Sequence, residues 1–314
     1  MQVRRATALG FLAAAMACDV DDDPRTADEL DEVSLRDTEA NGFRLNGFRL
    51  NGFRLNGFRL NGFRLNGDAG SGSYIDLEMF QLAQGWTVAQ AWLEGSELRV
   101  TTTNGMNLVG TQLVGAVLHF GLVEGAPKKR KVKVSGATQQ SPGSELWLYN
   151  LEIKDDVGAW QPLCVDRQGL PVQAIMVGAV WDPATGSQVT GTSDLVTLAC
   201  VDAAIGKCAE WGYYPWAVPE YHQACTRMVR ADYCGDGVSH TIDGVAIHVL
   251  DEIGIEEVDP NAVYTIEAEW GPEGATCLNP ESTRLTGASV VCELAACGES
   301  FASGGLIQTG VFGL

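Results

Sequence analysis

Gly206–Gly237 reads GKCAEWGYYPWAVPEYHQACTRMVRADYCGDG. Cys208, Cys225 and Cys234 are set in it among Trp211, Tyr213, Tyr214, Trp216 and Tyr221. Pro219 suits a first helical position, and Glu220 suits the positive end of a helix. Tyr221, Ala224, Cys225, Met228 and Val229 then fall at i, i+3, i+4, i+7 and i+8, which makes one apolar stripe. Arg227 and Arg230 favour the negative end, and Gly235 and Gly237 are expected to stop the helix. Cys225 lies on the stripe, so it is expected to bridge to another element.

Outward from this helix the pattern is β. Ala179-Val180-Trp181 and Ala268-Glu269-Trp270 each precede a Pro/Gly turn, and both predict hairpins. Val245–Val249 alternates like a strand, and Leu146-Trp147-Leu148-Tyr149 opens a β-rich region after the Ser141-Pro142-Gly143 break. Upstream, Leu98-Arg99-Val100 and Val117-Leu118-His119-Phe120 alternate as well. The basic run Pro127–Val132 continues as Lys131-Val132-Lys133-Val134, the pattern of an exposed edge strand whose lysines block pairing. The expected fold class is mainly β with one or two short helices. A disulfide-stapled β-rich domain follows a disordered tether and a pentad repeat.

The sulfur count points to export. Nine cysteines are present. Cys18 lies early; the rest are Cys164, Cys200, Cys208, Cys225, Cys234, Cys277, Cys292 and Cys297. Eight in an exported chain are most simply four disulfides, among 105 possible pairings. The N-terminus agrees. Arg4 and Arg5 precede a short apolar run, Ala6–Ala17, too short to span a bilayer, and then Ala15-Met16-Ala17-Cys18. Residues 1–17 read as a signal peptide resembling those of bacterial lipoproteins, with lipid on Cys18; simple secretion is the alternative. The expected location is the cell envelope, with the lipid at Cys18 holding the chain to a membrane.

Residues 18–40 are acidic and poor in large apolar side chains, which predicts a disordered tether. From Asn41 the pentad Asn-Gly-Phe-Arg-Leu recurs five times, ending at Leu65, with Asn66-Gly67 as a stub. Five pentads of one short side each make little more than one coil of a solenoid, so residues 41–67 alone are expected to be marginal or disordered. Asn104–Leu118 keeps Gly and Leu in matching places; a Gly-spaced strand pair is the preferred reading, a decayed repeat the other. Residues 68–140 form a small β-rich region, 141–300 the stapled domain and 301–314 a tail.

Ala231-Asp232-Tyr233-Cys234 followed by Gly235-Asp236-Gly237, with His222–Met228 upstream, resembles the ADYC domain of exported myxobacterial proteins. Gly206-Lys207-Cys208, Gly212–Trp216 and the hairpin from Glu267 to Cys277 add to the likeness, which spans roughly half the chain. The resemblance implies kinship within a family without an assigned activity, and it carries no catalytic residues.

The net charge of −19 repels phosphate backbones and excludes nucleic acid as a partner. Cys234 with His222 or His240, oriented by Asp232 or Asp236, is a conceivable thiol-hydrolase arrangement. An even cysteine set favours a disulfide at Cys234 instead. Cys208, Cys225, Cys234 and His222 would hold zinc only if reduced, and Asp232, Asp236 and Asp243 match no calcium loop. No metal and no cofactor is expected. Asp251, Glu252, Glu256, Glu257 and Asp259 read as a solvated acidic loop. Trp211, Tyr213, Tyr214 and Trp216 are either a core around the disulfides or, if exposed, a platform for sugar rings or a protein partner. The expected function is a non-enzymatic binding or scaffolding module of the envelope. The alternatives are an envelope hydrolase, cysteine- or carboxylate-based, and a structural spacer.

Overall fold

The computed structural model describes residues 80–122, 130–154, 157–166, 168–182, 184–192, 195–241, 246–256, 263–284 and 290–312, with the short segments 48–49 and 73–75. The expected signal peptide, Cys18, the tether and all pentad residues except Phe48 and Arg49 lie outside the described residues.

Strands β1 (Phe48–Arg49), β2 (Ser73–Ile75), β3 (Val88–Glu94), β4 (Glu97–Thr102), β5 (Asn107–Val109) and β6 (Val117–Leu122) come first. Then follow β7 (Arg130–Gln139), β8 (Trp147–Lys154), β9 (Trp160–Pro162), β10 (Ala174–Val177) and β11 (Thr197–Cys200). Helices α1 (Ala204–Glu210) and α2 (Pro219–Arg230) precede β12 (Ala246–Asp251), β13 (Tyr264–Gly271), β14 (Gly274–Leu278) and β15 (Ile307–Phe312). Among the described residues the protein is mainly β, with two helices and four disulfides, as its sequence predicts.

Three sheets result among the described residues. The largest runs β11-β10-β8-β7-β6-β2, with β9 beside β8; a second runs β3-β4-β5, and the third β1-β12-β15-β13-β14. Alternation explains the first core: Val132 and Val134 on β7, and Tyr149, Leu151 and Ile153 on β8, point inward against Leu98, Val100, Leu108 and Leu113. At β10 and β11 every residue is buried, because both faces are covered. Ala174, Met176 and Leu198 face the first core, while Ile175 and Ala199 meet Trp181, Ile205 and Ala209. The second core lies between α2 and the third sheet, where Ala224, Cys225, Met228 and Val229 pack with Ile247, Val249 and Trp270.

Four expectations change. β7 alternates as predicted, but it lies between β6 and β8 and is no edge. Its lysines line a sheet face, where Lys133 pairs with Glu152 and lies 4.8 Å from the Trp160 ring centre. The Asn104–Leu118 stretch forms β5 and β6, but each pairs elsewhere, β5 with β4 and β6 with β7. Helix α2 ends at Arg230 rather than at Gly235. Ala231 takes the left-handed conformation at φ 50°, and the Asp232 N–H donates to the Arg227 carbonyl across it. The 251–256 loop is not simply solvated: Asp251 Oδ1 and Oδ2 accept the N–H groups of Ile253, Ile255 and Glu256, and Glu256 is buried.

Both predicted hairpins are present in outline. β13 and β14 form a full one, whereas Trp181 and Gln188 pair as a single bridge. The sheet is continuous across residues 140–141, because β7 and β8 pair there from Val132↔Ile153 to Gln139↔Trp147.

Candidate functional site

The signature segment after α2 is the first place to look for chemistry. Each of its residues is taken up by the fold. Asp232 is fully buried; its Oδ2 accepts from Arg227 Nη1 and lies 3.6 Å from Arg230 Nη1, and it also accepts the Gly237 N–H at 3.1 Å. Burial pushes the Asp232 carboxyl up, and Arg227 opposes this. Arg227 also donates to the carbonyls of Thr185 and Pro272 and to Ser187 Oγ. Tyr233 Oη donates to Glu267 Oε1 at 2.6 Å, and Arg284 Nε meets the same carboxylate at 2.8 Å. Burial pushes the Glu267 carboxyl up, but Arg284 outweighs it and holds the group below its ordinary value. Cys234 is joined to Cys292.

The glycines after the signature permit close approach. Gly235 at φ 67° and Gly237 at φ 82° lie against the carbonyls of Glu273 and Ala184, where a Cβ would overlap the oxygen. Asp236 Oδ1 accepts the Val238 N–H in ordinary turn fashion.

The proposed thiol arrangement is not brought together. Cys234 is oxidised, Asp232 holds arginines, and His222 Nε2 lies 3.1 Å from the Ile205 carbonyl. A carbonyl only accepts, so the ring proton sits on Nε2. The remaining cysteines pair as Cys164–Cys200, Cys208–Cys225 and Cys277–Cys297. Cys225 thus bridges α2 to α1. Among the described residues, no group of three or more His, Cys, Asp or Glu is placed to hold a metal ion.

Burial pulls the His222 imidazole down to about 4, against the Ile205 carbonyl, which raises it. An unfolded chain takes up that proton near 6.5, so the fold keeps this contribution in full above 6.5 and loses it as pH falls toward 4. The loss approaches about 3 kcal/mol. Urea midpoints measured from pH 7 to pH 4.5 are expected to fall in wild type and to fall less in His222→Gln. Parallel curves for the two proteins would remove His222 as the cause.

A cleft of about 460 Å³ lies elsewhere, lined by Glu94, Gly95, Glu97, Arg99, Gln139, Ser144, Glu145, Trp147 and Trp216. The β3–β4 turn forms one wall and the β7–β8 hairpin the other. Two side chains lock them together. Ser96 Oγ accepts the Trp147 N–H at 2.6 Å and donates to the Glu145 carbonyl at 3.2 Å. Tyr149 Oη accepts the Leu98 N–H at 2.8 Å and donates to the Ser96 carbonyl. The Trp147 ring rests on Gly110, where any Cβ would intrude.

Trp216 arrives from the α1–α2 loop. Its Nε1 donates to Glu145 Oε2 at 2.9 Å, and its ring stacks on Tyr214 with centres 5.0 Å apart. Arg99 bridges Glu94 at 2.9 Å and Glu97 at 2.7 Å. Two indoles, three carboxylates and one guanidinium therefore share one depression.

The four aromatic candidates separate. Trp216 lines the cleft and Tyr214 backs it. Tyr213 is buried and donates to Asp251 Oδ2, while Trp211 packs against the second core. Sequence reasoning missed Trp147, the three glutamates and Arg99. The signal was the Ser141-Pro142-Gly143 turn, which joins two strands of one hairpin rather than separating two regions.

The family model described as the ADYC domain matches residues 110–284, more than half of the chain. No curated protein and no solved structure matches.

Proposed function

The chain belongs to the ADYC-domain family, and from that footing we propose that it is a non-enzymatic binding module of the cell envelope that holds a carbohydrate between Trp147 and Trp216. The observation that carries this reading is the pairing of two half-buried indoles with pre-bonded polar groups in one cleft. Indole faces take the C–H face of a sugar ring, and fixed carboxylates and amides take its hydroxyls. Three carboxylates against one guanidinium favour neutral or amine-bearing sugars over uronic acids and phosphates.

Four disulfides fit an oxidising, extracellular or envelope setting. No helix among the described residues is long and apolar enough to cross a membrane. A lipid on Cys18 would supply the attachment, and Cys18→Ser would then release the protein into the medium.

Calorimetry against neutral, amine-bearing and uronic-acid oligosaccharides tests the ligand. Trp216→Ala is expected to weaken binding at least about tenfold, the effect of losing a central aromatic anchor. Equal affinity in the variant and the parent, or a preference for uronic acids, would refute the site. The hydrolase reading has one observation in its favour, the presence of Glu97 and Glu145 in the same cleft. Release of reducing ends by the parent and not by Glu97→Gln or Glu145→Gln would establish it in place of simple binding.

A further inference from the structure

The sheet β3-β4-β5 has two faces of different content. Ala91 and Leu93 on β3 pack with Leu98, Val100 and Leu108 against the first core. Side chains alternate along a strand, so Gln90, Trp92 and Glu94 point the other way. The register sets them in rows. Gln90 lies opposite Thr101, which lies opposite Asn107. Trp92 lies opposite Arg99, which lies opposite Val109, and Glu94 lies opposite Glu97. Gln90, Trp92, Glu94 and Asn107 are exposed, and Trp92 keeps 37% of its surface in solvent.

This outer face runs into the cleft. Glu94, Glu97 and Arg99 belong to both. The row Trp92–Arg99–Val109 leads on to Gly110, where the Trp147 ring rests. Arg99 turns to Glu94 and Glu97, and no cation or ring among the described residues stacks on the Trp92 indole. One row further out, Thr101 Oγ1 donates to Asn107 Oδ1 at 2.8 Å, which leaves the Asn107 amide N–H groups as donors. From Glu94 at the cleft to Gln90 the strand covers roughly 13 Å.

We propose that this face continues the cleft, as a strip that holds further rings of the same carbohydrate chain. One ring stacks on Trp92, and hydroxyls bond to Gln90, Thr101 and Asn107. The inference rests on the carbohydrate reading of the cleft and deepens it: the ligand is an extended neutral or amine-bearing polysaccharide rather than a short sugar. The chemistry of the face supports that occupant. A linked row of sugar rings is apolar on its faces and polar at its edges, which matches an indole set among amides and a hydroxyl. A protein partner fits less well. The centre of a protein interface is apolar and depleted of charge. Here one indole and one valine stand around the Arg99–Glu97 ion pair.

The test is calorimetry of the full chain against two size ladders, glucosamine oligomers and β-linked glucose oligomers, each from the disaccharide to the hexasaccharide. In the parent, affinity for at least one ladder should rise with length. Trp92→Ala should leave disaccharide binding unchanged and weaken hexasaccharide binding about tenfold, the effect of losing an aromatic anchor. Trp216→Ala should weaken every length. Asn107→Ala, which removes one hydrogen-bonding side chain from the strip, should give a smaller loss with the same dependence on length. Unchanged thermal unfolding of Trp92→Ala shows that the sheet is intact.

Equal affinities in Trp92→Ala and the parent at every length, with Trp216→Ala weakened, would overturn the strip and leave the cleft reading standing. Equal weakening of disaccharide and hexasaccharide by Trp92→Ala would place its effect in the cleft itself and also overturn the strip. No binding of either ladder by the parent would remove the cleft reading and this one with it. A dimer in sedimentation that Trp92→Ala dissociates would assign the face to a second copy of the chain and overturn the proposal.

Discussion

Asp232→Ala is expected to lower the stability of the folded chain by about 3–5 kcal/mol, the cost of removing one partner from a buried ion pair. Arg227 is fully buried and Arg230 nearly so, and Asp232 is the carboxylate that meets both. The alanine variant leaves two guanidinium groups facing each other without it. It also strips the Gly237 N–H of its acceptor. Asp232→Asn keeps the shape and part of the hydrogen bonding, so its loss should be smaller, about 2 kcal/mol. Urea unfolding with the disulfides intact measures both. An alanine variant within about 1 kcal/mol of the parent would contradict a structural role for this residue.

Arg284→Met should be comparably damaging, again about 3–5 kcal/mol, because it abandons Glu267 in a fully buried site. Here the pH dependence distinguishes the cause. In the parent, Arg284 holds the Glu267 carboxyl below its ordinary value, so the contribution is present above the ordinary carboxyl range and disappears as pH falls through the folded value. Without the Arg284 guanidinium, burial is opposed by the Tyr233 hydroxyl and the backbone N–H at 284, and the Glu267 carboxyl moves up. The variant's deficit should therefore shrink on acidification, as the stranded carboxylate takes a proton. The double variant Glu267→Gln with Arg284→Met should recover part of the loss, since neither charge is then left alone. A deficit that stays constant from pH 8 to pH 5 would mean that lost packing, such as Arg284 against the Trp270 ring, is responsible instead.

The helix and the sulfur chemistry were legible because each rests on a local rule. The stripe from Tyr221 to Val229 specifies the face of α2 that meets the third sheet, and an even cysteine set in an exported chain specifies four bridges. The opposite face of α2 was not legible. Gln223, Arg227 and Arg230 lie off the apolar stripe, yet Gln223 binds Trp181 Nε1 and the Gly186 carbonyl, and Arg227 binds Thr185 and Ser187. Burial of polar residues by a distant turn leaves no periodic trace.

The cleft failed to show for the same reason. Gly95, Glu145 and Trp216 are far apart in the chain, and the Ser96 and Tyr149 hydrogen bonds help to bring the first two together. The helix end was misjudged for a narrower cause. A left-handed residue usually advertises itself as glycine, and here Ala231 takes the position while the glycines serve contacts with Glu273 and Ala184.

Trp216 is carried on the span between Cys208 and Cys225, whose sulfurs are bonded to each other. That clasp closes the loop at its base, so, if the cleft takes a sugar as proposed, the indole would meet it with little freedom left to surrender. The proposed affinity would then follow the redox state of the surroundings. On that reading, reduction of Cys208–Cys225 would free the loop that carries Trp216 and slacken its hold on a sugar.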